Sequence, residues 1–176
     1  MRETGIVRRI DELGRVVIPK EIRKTLRIRE GDPLEIYTDK EELILKKYSP
    51  VKSLENYAEG MAKSIAEKTG GGVIIADTDN VIFVSGTRNK DIKGKRISAE
   101  LFEVIKGRKS VCAANSGKKI PIYIGEDSPL CAIVSPIEGD GYCYGAIAII
   151  SEEKPVDPEV VKITSVCASF LAKQFS

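Results

Sequence analysis

Basic residues are concentrated at the start of this 176-residue chain. Nine of the first 29 residues are Lys or Arg and four are Asp or Glu, which is a local net charge of +5. Four of these cations are spaced i, i+3, i+4 and i+7, a spacing that places them on one side of a helix: Lys20, Arg23, Lys24 and Arg27. Cations grouped in this way bind phosphates, so the segment predicts contact with double-stranded DNA. The alternative is a solvated face that keeps a small domain soluble.

The chain has no histidine, and its four cysteines form no C-x-x-C pair. This excludes histidine-based triads, histidine general bases and most zinc sites. The cysteines are Cys112, Cys131, Cys143 and Cys167. Each adjoins apolar residues, which favours small buried side chains over reactive thiols. We therefore expect no enzyme activity, no metal and no obligatory cofactor.

Charge is divided unevenly along the chain. Residues 1–52 hold 13 basic and 10 acidic side chains, net +3, whereas residues 53–176 hold 15 and 16, net −1. A polyanion partner is expected for the first part only. No apolar run approaches membrane-spanning length, and the N-terminus leads into no apolar signal segment. We expect a cytoplasmic protein without a membrane partner.

Two short apolar strands precede the basic helix. Residues 6–10 and 15–18 are rich in Ile and Val and flank a turn at residues 11–14. Pro19 ends the second strand and suits the first turn of a helix predicted over residues 20–27. The four helical cations and the strand cations Arg8, Arg9 and Arg15 are the candidate DNA-binding residues.

A turn at residues 30–33 leads into a second predicted hairpin, with strands at 34–38 and 42–48. The pattern is β-β-α-β-β in about 50 residues, too few to bury a stable core without disulfides or a metal. The strands are rich in Ile, Val and Leu on both faces, so one face requires a partner. A homodimer that pairs strands between subunits would provide it, and would repeat the basic surface about a two-fold axis.

Four stretches of this segment form a specific motif: TGIVRRIDELGRVVIP at residues 4–19, RKTL at 23–26, LEIY at 34–37 and ILKKY at 44–48. The motif closely resembles the AbrB family of bacterial transition-state regulators. The resemblance implies a swapped-hairpin β-barrel dimer whose short looped-hinge helices carry arginines to DNA. By position it implies DNA contact for Arg8, Arg15, Arg23 and Lys24, with Arg9 beside them. A longer chain with this start and a folded C-terminal half resembles the two-domain sporulation regulators of the family, which activate or repress transcription.

No long recognition helix is predicted in this segment, so deep reading of base edges is not expected. Phosphate contacts should supply most of the affinity, and DNA shape and deformability most of the preference. We expect degenerate targets that lean towards A·T.

The C-terminal half is predicted to be an α+β domain. Residues 49–52 contain a proline and predict a short connector between a DNA-binding domain, 1–52, and a regulatory or oligomerisation domain, 53–176. The predicted elements are a helix at 53–68 capped by Ser53, strands at 73–76 and 81–84, a helix at 98–106 capped by Ser98, strands at 110–113, 120–124, 130–135 and 142–150, and a helix from Pro158 capped by Asp157. The last two strands are predicted to pair around residues 138–141, which places Ile133 opposite Ala146 and Cys131 opposite Ala148. Cys131 and Cys143 are then out of register for a disulfide.

This element order, with helices flanking an antiparallel sheet, resembles a GAF domain. The resemblance implies a site for a small ligand between sheet and loops. The signature of the cyclic-nucleotide subtype fails at Lys106, where an acid is required. Two alternatives stay open: an unidentified small-molecule effector, or a GAF fold that serves assembly alone.

Two apolar stripes predict a second oligomer contact, through the terminal helices of residues 53–176. Packing against their own sheet could absorb both stripes, but their breadth favours a contact with another copy. With a dimer formed by residues 1–52, this contact would give a tetramer. The candidate oligomerisation residues are Leu54, Tyr57, Met61, Ile65, Val160, Ile163, Cys167, Phe170 and Leu171.

Two other classes of function compete with a DNA-binding regulator. The same swapped barrel occurs in antitoxins, but those carry a disordered tail where residues 53–176 predict a folded domain. GAF-like methionine sulfoxide reductases use cysteines, but the cysteines of this chain show no close pairing by sequence.

Overall fold

The computed structural model describes residues 4–87, 90–150 and 157–175. The chain divides into two compact units, Met1–Tyr48 and Ser49–Ser176. Both units mix helices with antiparallel strands, as predicted. No helix among the described residues has the length and apolar character needed to cross a bilayer.

The first unit contains the predicted basic helix and the second hairpin. Helix α1, Lys20–Leu26, follows Pro19 and ends where Arg27 adopts a left-handed conformation, with φ of 56°. Strands β1, Leu34–Asp39, and β2, Glu42–Lys47, form an antiparallel hairpin. Both predictions are confirmed, to within one residue for the helix.

The predicted strands at residues 6–10 and 15–18 do not form a ladder in this single chain. Only the tip of their hairpin closes, through hydrogen bonds from Asp11 N–H to the Arg15 carbonyl (3.0 Å) and from Gly14 N–H to the Asp11 carbonyl (3.0 Å). Strands are held by cross-strand hydrogen bonds, and these two stretches have no further pairing partner within the described part of their own chain.

The first unit has no core of its own, since none of its described residues, 4–48, is buried. Its aliphatic side chains lie in contact with solvent: Val7 is 88% exposed, Val17 74% and Ile36 63%. Large apolar side chains in such density are normally removed from water. This unit therefore lacks the partner surface that would bury them.

The second unit is built on one antiparallel sheet. Its elements are α2 Pro50–Ser53, α3 Glu55–Thr69, β3 Val73–Asp77, β4 Val81–Ser85, α4 Ala99–Gly107, β5 Val111–Cys112, α5 Ala113–Ser116, β6 Ile120–Pro121, β7 Leu130–Gly139, β8 Tyr142–Ile150 and α6 Pro158–Ala172. The strand order is β4-β3-β8-β7-β5, and β6 also pairs with β7. Ser98 and Asp157 cap α4 and α6 as predicted, with side chains that accept from Leu101 N–H and Glu159 N–H.

Each face of the sheet has its own core, because successive residues of a strand point to opposite faces. Ile75 and Ile147 belong to the core formed with α3 and α6. Ile74 and Ala148 belong to the core formed with α4. Helices α3 and α6 therefore cover one face of the sheet, and α4 covers the other.

The prediction of a connector at residues 49–52 is wrong. Ser49 caps α2, and its Oγ also donates to the Asp77 carboxylate (2.8 Å). Val51 is fully buried. Ser53 does not cap the next helix but donates to the Pro50 carbonyl, and α3 begins at Glu55. A proline near a serine suits the first turn of a short helix as well as a linker, and burial of the valine decides between them.

The predicted register of β7 and β8 is also wrong. The hairpin turns at residues 140–141, whose φ values of 50° and 80° are those of a two-residue turn, and the ladder contains two register shifts. The observed pairs include Cys131–Ile150, Ile133–Ile149, Pro136–Ala146 and Glu138–Cys143. Cys143 still lies opposite a residue other than Cys131.

The four cysteines are free thiols. Cys112 and Cys131 are buried, and burial raises the pKa of the Cys131 thiol to about 12. Burial also raises the pKa of Cys167. A raised pKa suppresses the nucleophilic thiolate, so these side chains behave as small apolar residues.

Gly145 provides a test of the sheet packing. A Cβ at this position in β8 would overlap the carbonyl of Ala76 in the neighbouring strand β3. Gly145→Ala is expected to lower the free energy of unfolding by about 2–3 kcal/mol, as overpacking in a core does. Gly60→Ala is the matched control, because Gly60 lies within α3 with no atom near its Cβ position. The control should raise stability by about 0.5–1 kcal/mol, through helix propensity. Urea unfolding followed by circular dichroism measures both, and equal stability of Gly145→Ala and the wild type would contradict this packing.

Candidate nucleic-acid interface

The seven candidate DNA-binding cations all lie on the surface of the first unit. They are Arg8, Arg9, Arg15, Lys20, Arg23, Lys24 and Arg27, and every one is exposed. Ile22, on the other side of α1, is half-buried as predicted, but Leu26 is 56% exposed. The helix therefore holds its four cations together, while its apolar side is only partly covered within this chain.

Asp11 organises the hairpin tip that carries Arg15. One carboxylate oxygen accepts from the backbone N–H groups of Arg15 (2.8 Å) and Leu13 (3.0 Å), and the other accepts from Arg15 Nε (3.0 Å). These bonds, led by the one from the Arg15 backbone, lower the pKa of Asp11. The Arg15 side chain nevertheless remains 71% exposed. The turn thus fixes the backbone of Arg15 and leaves its side chain accessible to a ligand.

A second carboxylate fixes the C-terminal end of α1. Asp32 Oδ2 accepts from the backbone N–H of Arg29 (2.8 Å) and pairs with Lys47 Nζ (3.0 Å). The same Lys47 Nζ approaches the carbonyl of Arg27 (3.4 Å), at the end of the helix. The side chains of Asp32 and Lys47 are only 14% and 22% exposed, so this ion pair is shielded from solvent.

The Asp32–Lys47 pair connects α1 to β2 and so positions the helical cations relative to the hairpin. The sequence predicted only a turn at residues 30–33, and gave Asp32 and Lys47 no role. The sequence signal for this role was the aspartate within Gly-Asp-Pro. An aspartate before a helix-breaking proline often accepts hydrogen bonds from nearby backbone N–H groups.

The arrangement suits the binding of phosphate groups. Arginine and lysine donate charge-assisted hydrogen bonds to phosphate oxygens, and a seven-residue helix offers too few positions for extended base readout. Within the described part of the chain, no three His, Cys, Asp or Glu side chains are grouped to hold a metal ion.

The structure divides the candidate oligomerisation residues between core and surface. Ile65 and Leu171 are buried within the second unit, which leaves them no surface for another copy. Leu54, Met61, Val160 and Cys167 are half-buried. Tyr57 on α3 and Ile163 and Phe170 on α6 are exposed.

The sequence prediction missed Val166, which is 67% exposed on α6. Its positions relative to Ile163 and Phe170 are i+3 and i−4, so the three side chains form one stripe on the outer side of the helix. The overlooked signal is the position of this stripe on the helix. It is offset by one residue from the stripe that packs against the sheet, and it therefore faces solvent.

Two family models match the chain. Residues 53–176 match stage V sporulation protein T C-terminal, transcription factor. Residues 7–53 match antidote-toxin recognition MazE, bacterial antitoxin, a model confined to the segment that carries the candidate cations.

Individual relatives match both units. Stage V sporulation protein T of Bacillus subtilis is 45% identical over 176 residues, covering 99% of this chain and 98% of the relative. The N-terminal DNA recognition domain of the Bacillus subtilis transition-state regulator AbrB is 69% identical, covering 27% of this chain and 91% of that structure, with a TM-score of 0.24. The type II free methionine-R-sulfoxide reductase of Thermoplasma acidophilum is 17% identical, covering 70% of this chain and 93% of that structure, with a TM-score of 0.51. This last likeness concerns the fold of the second unit alone.

The role of the Asp32–Lys47 pair can be tested with one substitution and a matched control. Asp32→Asn is expected to weaken binding to duplex DNA by about threefold to tenfold. Without the ion pair the helical cations are less well positioned, which costs about 1 kcal/mol of binding free energy. Asp39→Asn is the matched control, because it also removes one acidic charge, at the exposed end of β1.

Loss of an acidic charge by itself favours binding to a polyanion, so Asp39→Asn should bind equally well or more tightly. Mobility shifts at one salt concentration compare the two variants. Equal affinities of Asp32→Asn and Asp39→Asn would show that the pair does not position the cations.

Proposed function

The chain belongs to the stage V sporulation protein T family, and we propose that it regulates sporulation genes by binding double-stranded DNA through the exposed cations of a dimeric first unit. It is a transcription factor of that family and not an enzyme. The sequence resemblance to the AbrB family and to the two-domain sporulation regulators is confirmed. We further propose that it acts in the cytoplasm, as activator, repressor or both.

One observation carries the proposal: the unit with the cations has no buried residue among its described positions. A second copy that pairs with residues 6–10 and 15–18 would supply both missing strand partners and a core for Val7 and Val17. A two-fold assembly of this kind places two sets of cations on one surface, as the pseudo-symmetry of a duplex requires. The 69% identity to a DNA recognition domain supports the same surface.

The proposed binding tolerates sequence variation. The cations follow the positions implied by the AbrB resemblance: Arg8, Arg15, Arg23 and Lys24, with Arg9, Lys20 and Arg27 beside them. Cations of this type neutralise phosphates, so affinity comes mainly from charge and preference from DNA shape.

The proposed assembly continues through the second unit. Exposed Ile163, Val166 and Phe170 form an apolar stripe on α6, and exposed Tyr57 lies on α3, which covers the same face of the sheet. Burial of this stripe against a second copy would join two DNA-binding dimers into a tetramer. Joined dimers gain avidity for DNA without any additional interaction with it.

Assembly explains the second unit better than sensing of a small effector. In a GAF-like fold the ligand site lies between sheet and loops. Here the space between the sheet and α4 is filled by side chains of the protein itself, among them Ile92, Ile122 and Tyr123, which are at most 2% exposed. A groove beside α4 is open to solvent and does not enclose a ligand. We therefore propose that the unit works without a cofactor. An antitoxin role is the second candidate, and it rests on the model that matches residues 7–53.

DNA binding through the cations is tested by its salt dependence. The slope of log K against log salt falls by about 0.9 for each phosphate that is no longer neutralised. The double variant Arg15→Ala, Lys24→Ala should therefore reduce the slope by about 1.8, and the affinity at low salt at least tenfold. Lys68→Ala on α3 is the single-charge control and should change neither. Mobility shifts at four salt concentrations give the slopes. A double variant with the wild-type slope would place the DNA surface elsewhere.

The tetramer is tested by adding charge to the apolar stripe. Phe170→Asp should halve the mass measured by light scattering, because a carboxylate cannot be buried unpaired in an apolar contact. Ser165→Asp is the matched control, since Ser165 is exposed on α6 and is not three or four positions from any residue of the stripe. Its mass should equal that of the wild type. An unchanged mass for Phe170→Asp, with a normal melting curve, would exclude this stripe as an interface.

A further inference from the structure

Charge is segregated within the second unit. Residues 88–119 hold ten Lys or Arg and three Asp or Glu, a net charge of +7. The remainder of residues 49–176 holds six Lys or Arg and 13 Asp or Glu, a net charge of −7. The balance over the whole unit therefore conceals one strongly basic segment.

Within this segment, α4 packs on the face of the sheet opposite to α3 and α6. Lys93 belongs to the other side, since its Nζ lies 5.5 Å from the centre of the Phe83 ring, in the core formed with α3 and α6. Assembly through the apolar stripe on α6 would consequently leave the α4 side uncovered. Each added copy would contribute one more basic face.

Four lysines of this segment are exposed and make no ion pair within the described part of the chain. They are Lys106, Lys109, Lys118 and Lys119, and we call them the α4-side lysines. Two other cations of the segment have acidic neighbours: Lys95 is 3.8 Å from Asp127, and Arg108 is 4.0 Å from Glu138.

Two of the α4-side lysines converge on one surface depression. Lys109 and Lys118 line an open groove of about 450 Å³ beside α4, whose apolar floor includes Val104 and Ile120. Glu100 and Glu103 of α4 line the same groove and balance the charges of Lys109 and Lys118. The excess positive charge of the α4-side lysines is therefore carried by Lys106 and Lys119.

We propose that the α4-side lysines form a second DNA-contacting surface, which binds the phosphate backbone without reading sequence. The proposal rests on the proposed function, since it adds a surface to a protein that already binds DNA. Lysine is a flexible point charge that suits phosphates, and it is depleted at the centre of protein–protein interfaces. An acidic protein partner would also use arginine or aromatic anchors among these charges. Arg108, which lies between Lys106 and Lys109 in the sequence, is instead engaged within the protein. It donates to the Gly141 carbonyl and lies beside Glu138.

The surface would act on affinity and not on target choice. Backbone contacts add to the salt-dependent part of binding equally for all sequences. Removal of four such cations would reduce the slope of log K against log salt by up to about 3.6, at about 0.9 each.

The experiment compares full-length variants that differ in where positive charge is removed. The test variant carries Lys106→Gln, Lys109→Gln, Lys118→Gln and Lys119→Gln. The control variant carries Lys63→Gln, Lys68→Gln, Lys162→Gln and Lys173→Gln, exposed lysines on α3 and α6 and just beyond its end. Melting curves and light scattering confirm that each variant keeps the fold and mass of the wild type. Mobility shifts on several duplexes of different sequence, each at four salt concentrations, then give affinity, slope and order of preference.

We expect the test variant to have a salt slope reduced by about 2–3.6 and an affinity at low salt reduced at least tenfold, with an unchanged order of preference among duplexes. The control variant should keep the wild-type slope to within about 0.5. Glu100→Gln with Glu103→Gln should have the opposite effect and tighten binding.

A test variant with the slope of the control would overturn the second surface, while DNA binding by the first unit would still stand. A full-length wild-type chain with no salt-dependent DNA binding would overturn the proposed function itself. Reduced affinity confined to one target sequence would also contradict a backbone-only contact. If removal of the two glutamates failed to tighten binding, the groove would lie outside the DNA-contacting surface.

Discussion

The first 48 residues cannot bury their own apolar side chains, and the remaining organisation follows from this constraint. Residues 4–48, the described part of this unit, have one seven-residue helix and one paired hairpin, and their valines and isoleucines are in contact with water. Burial of apolar surface is the main favourable term in folding, and it grows with the amount of chain that can enclose a core. In the proposed dimer, a second copy would provide that core. The cations lie on the same short elements, so the pairing that completes the fold would also double the charged surface.

Local carboxylates then determine how that surface is held. Asp11 binds the turn below Arg15, and Asp32 binds the helix end through Arg29 N–H and Lys47. In both cases an acid within a cationic surface accepts backbone hydrogen bonds, and these bonds fix the turns next to the cations. The acids therefore belong to the architecture of the binding surface.

The second unit is complete by itself, with a separate core on each face of its sheet. Its GAF-like fold does not specify a ligand, because a fold can host unrelated functions. The two outer surfaces differ instead in chemistry: the helix pair α3 and α6 exposes apolar side chains, and the α4 side exposes lysines. An apolar face favours association between copies, and a basic face favours a polyanion. The sheet thus separates the face suited to contact with other copies from the face suited to contact with a polyanion.

The sequence by itself determined the elements with strong local signals. Pro19 and the i, i+3, i+4, i+7 cations specified α1, and the motif of residues 4–48 identified the family of the first unit. Serine and aspartate caps located α4 and α6, because a side-chain oxygen next to a backbone N–H is a local interaction. Only the tertiary structure decided that Pro50–Ser53 form a short helix with Pro50 and Val51 buried, and that two register shifts displace β7 against β8. It also decided that Lys47 meets Asp32, and that Val166 faces solvent while Leu171 does not. Each of these depends on contacts between residues distant along the chain or on the exact rotation of a helix, and neither spacing nor composition encodes which partner a side chain will reach.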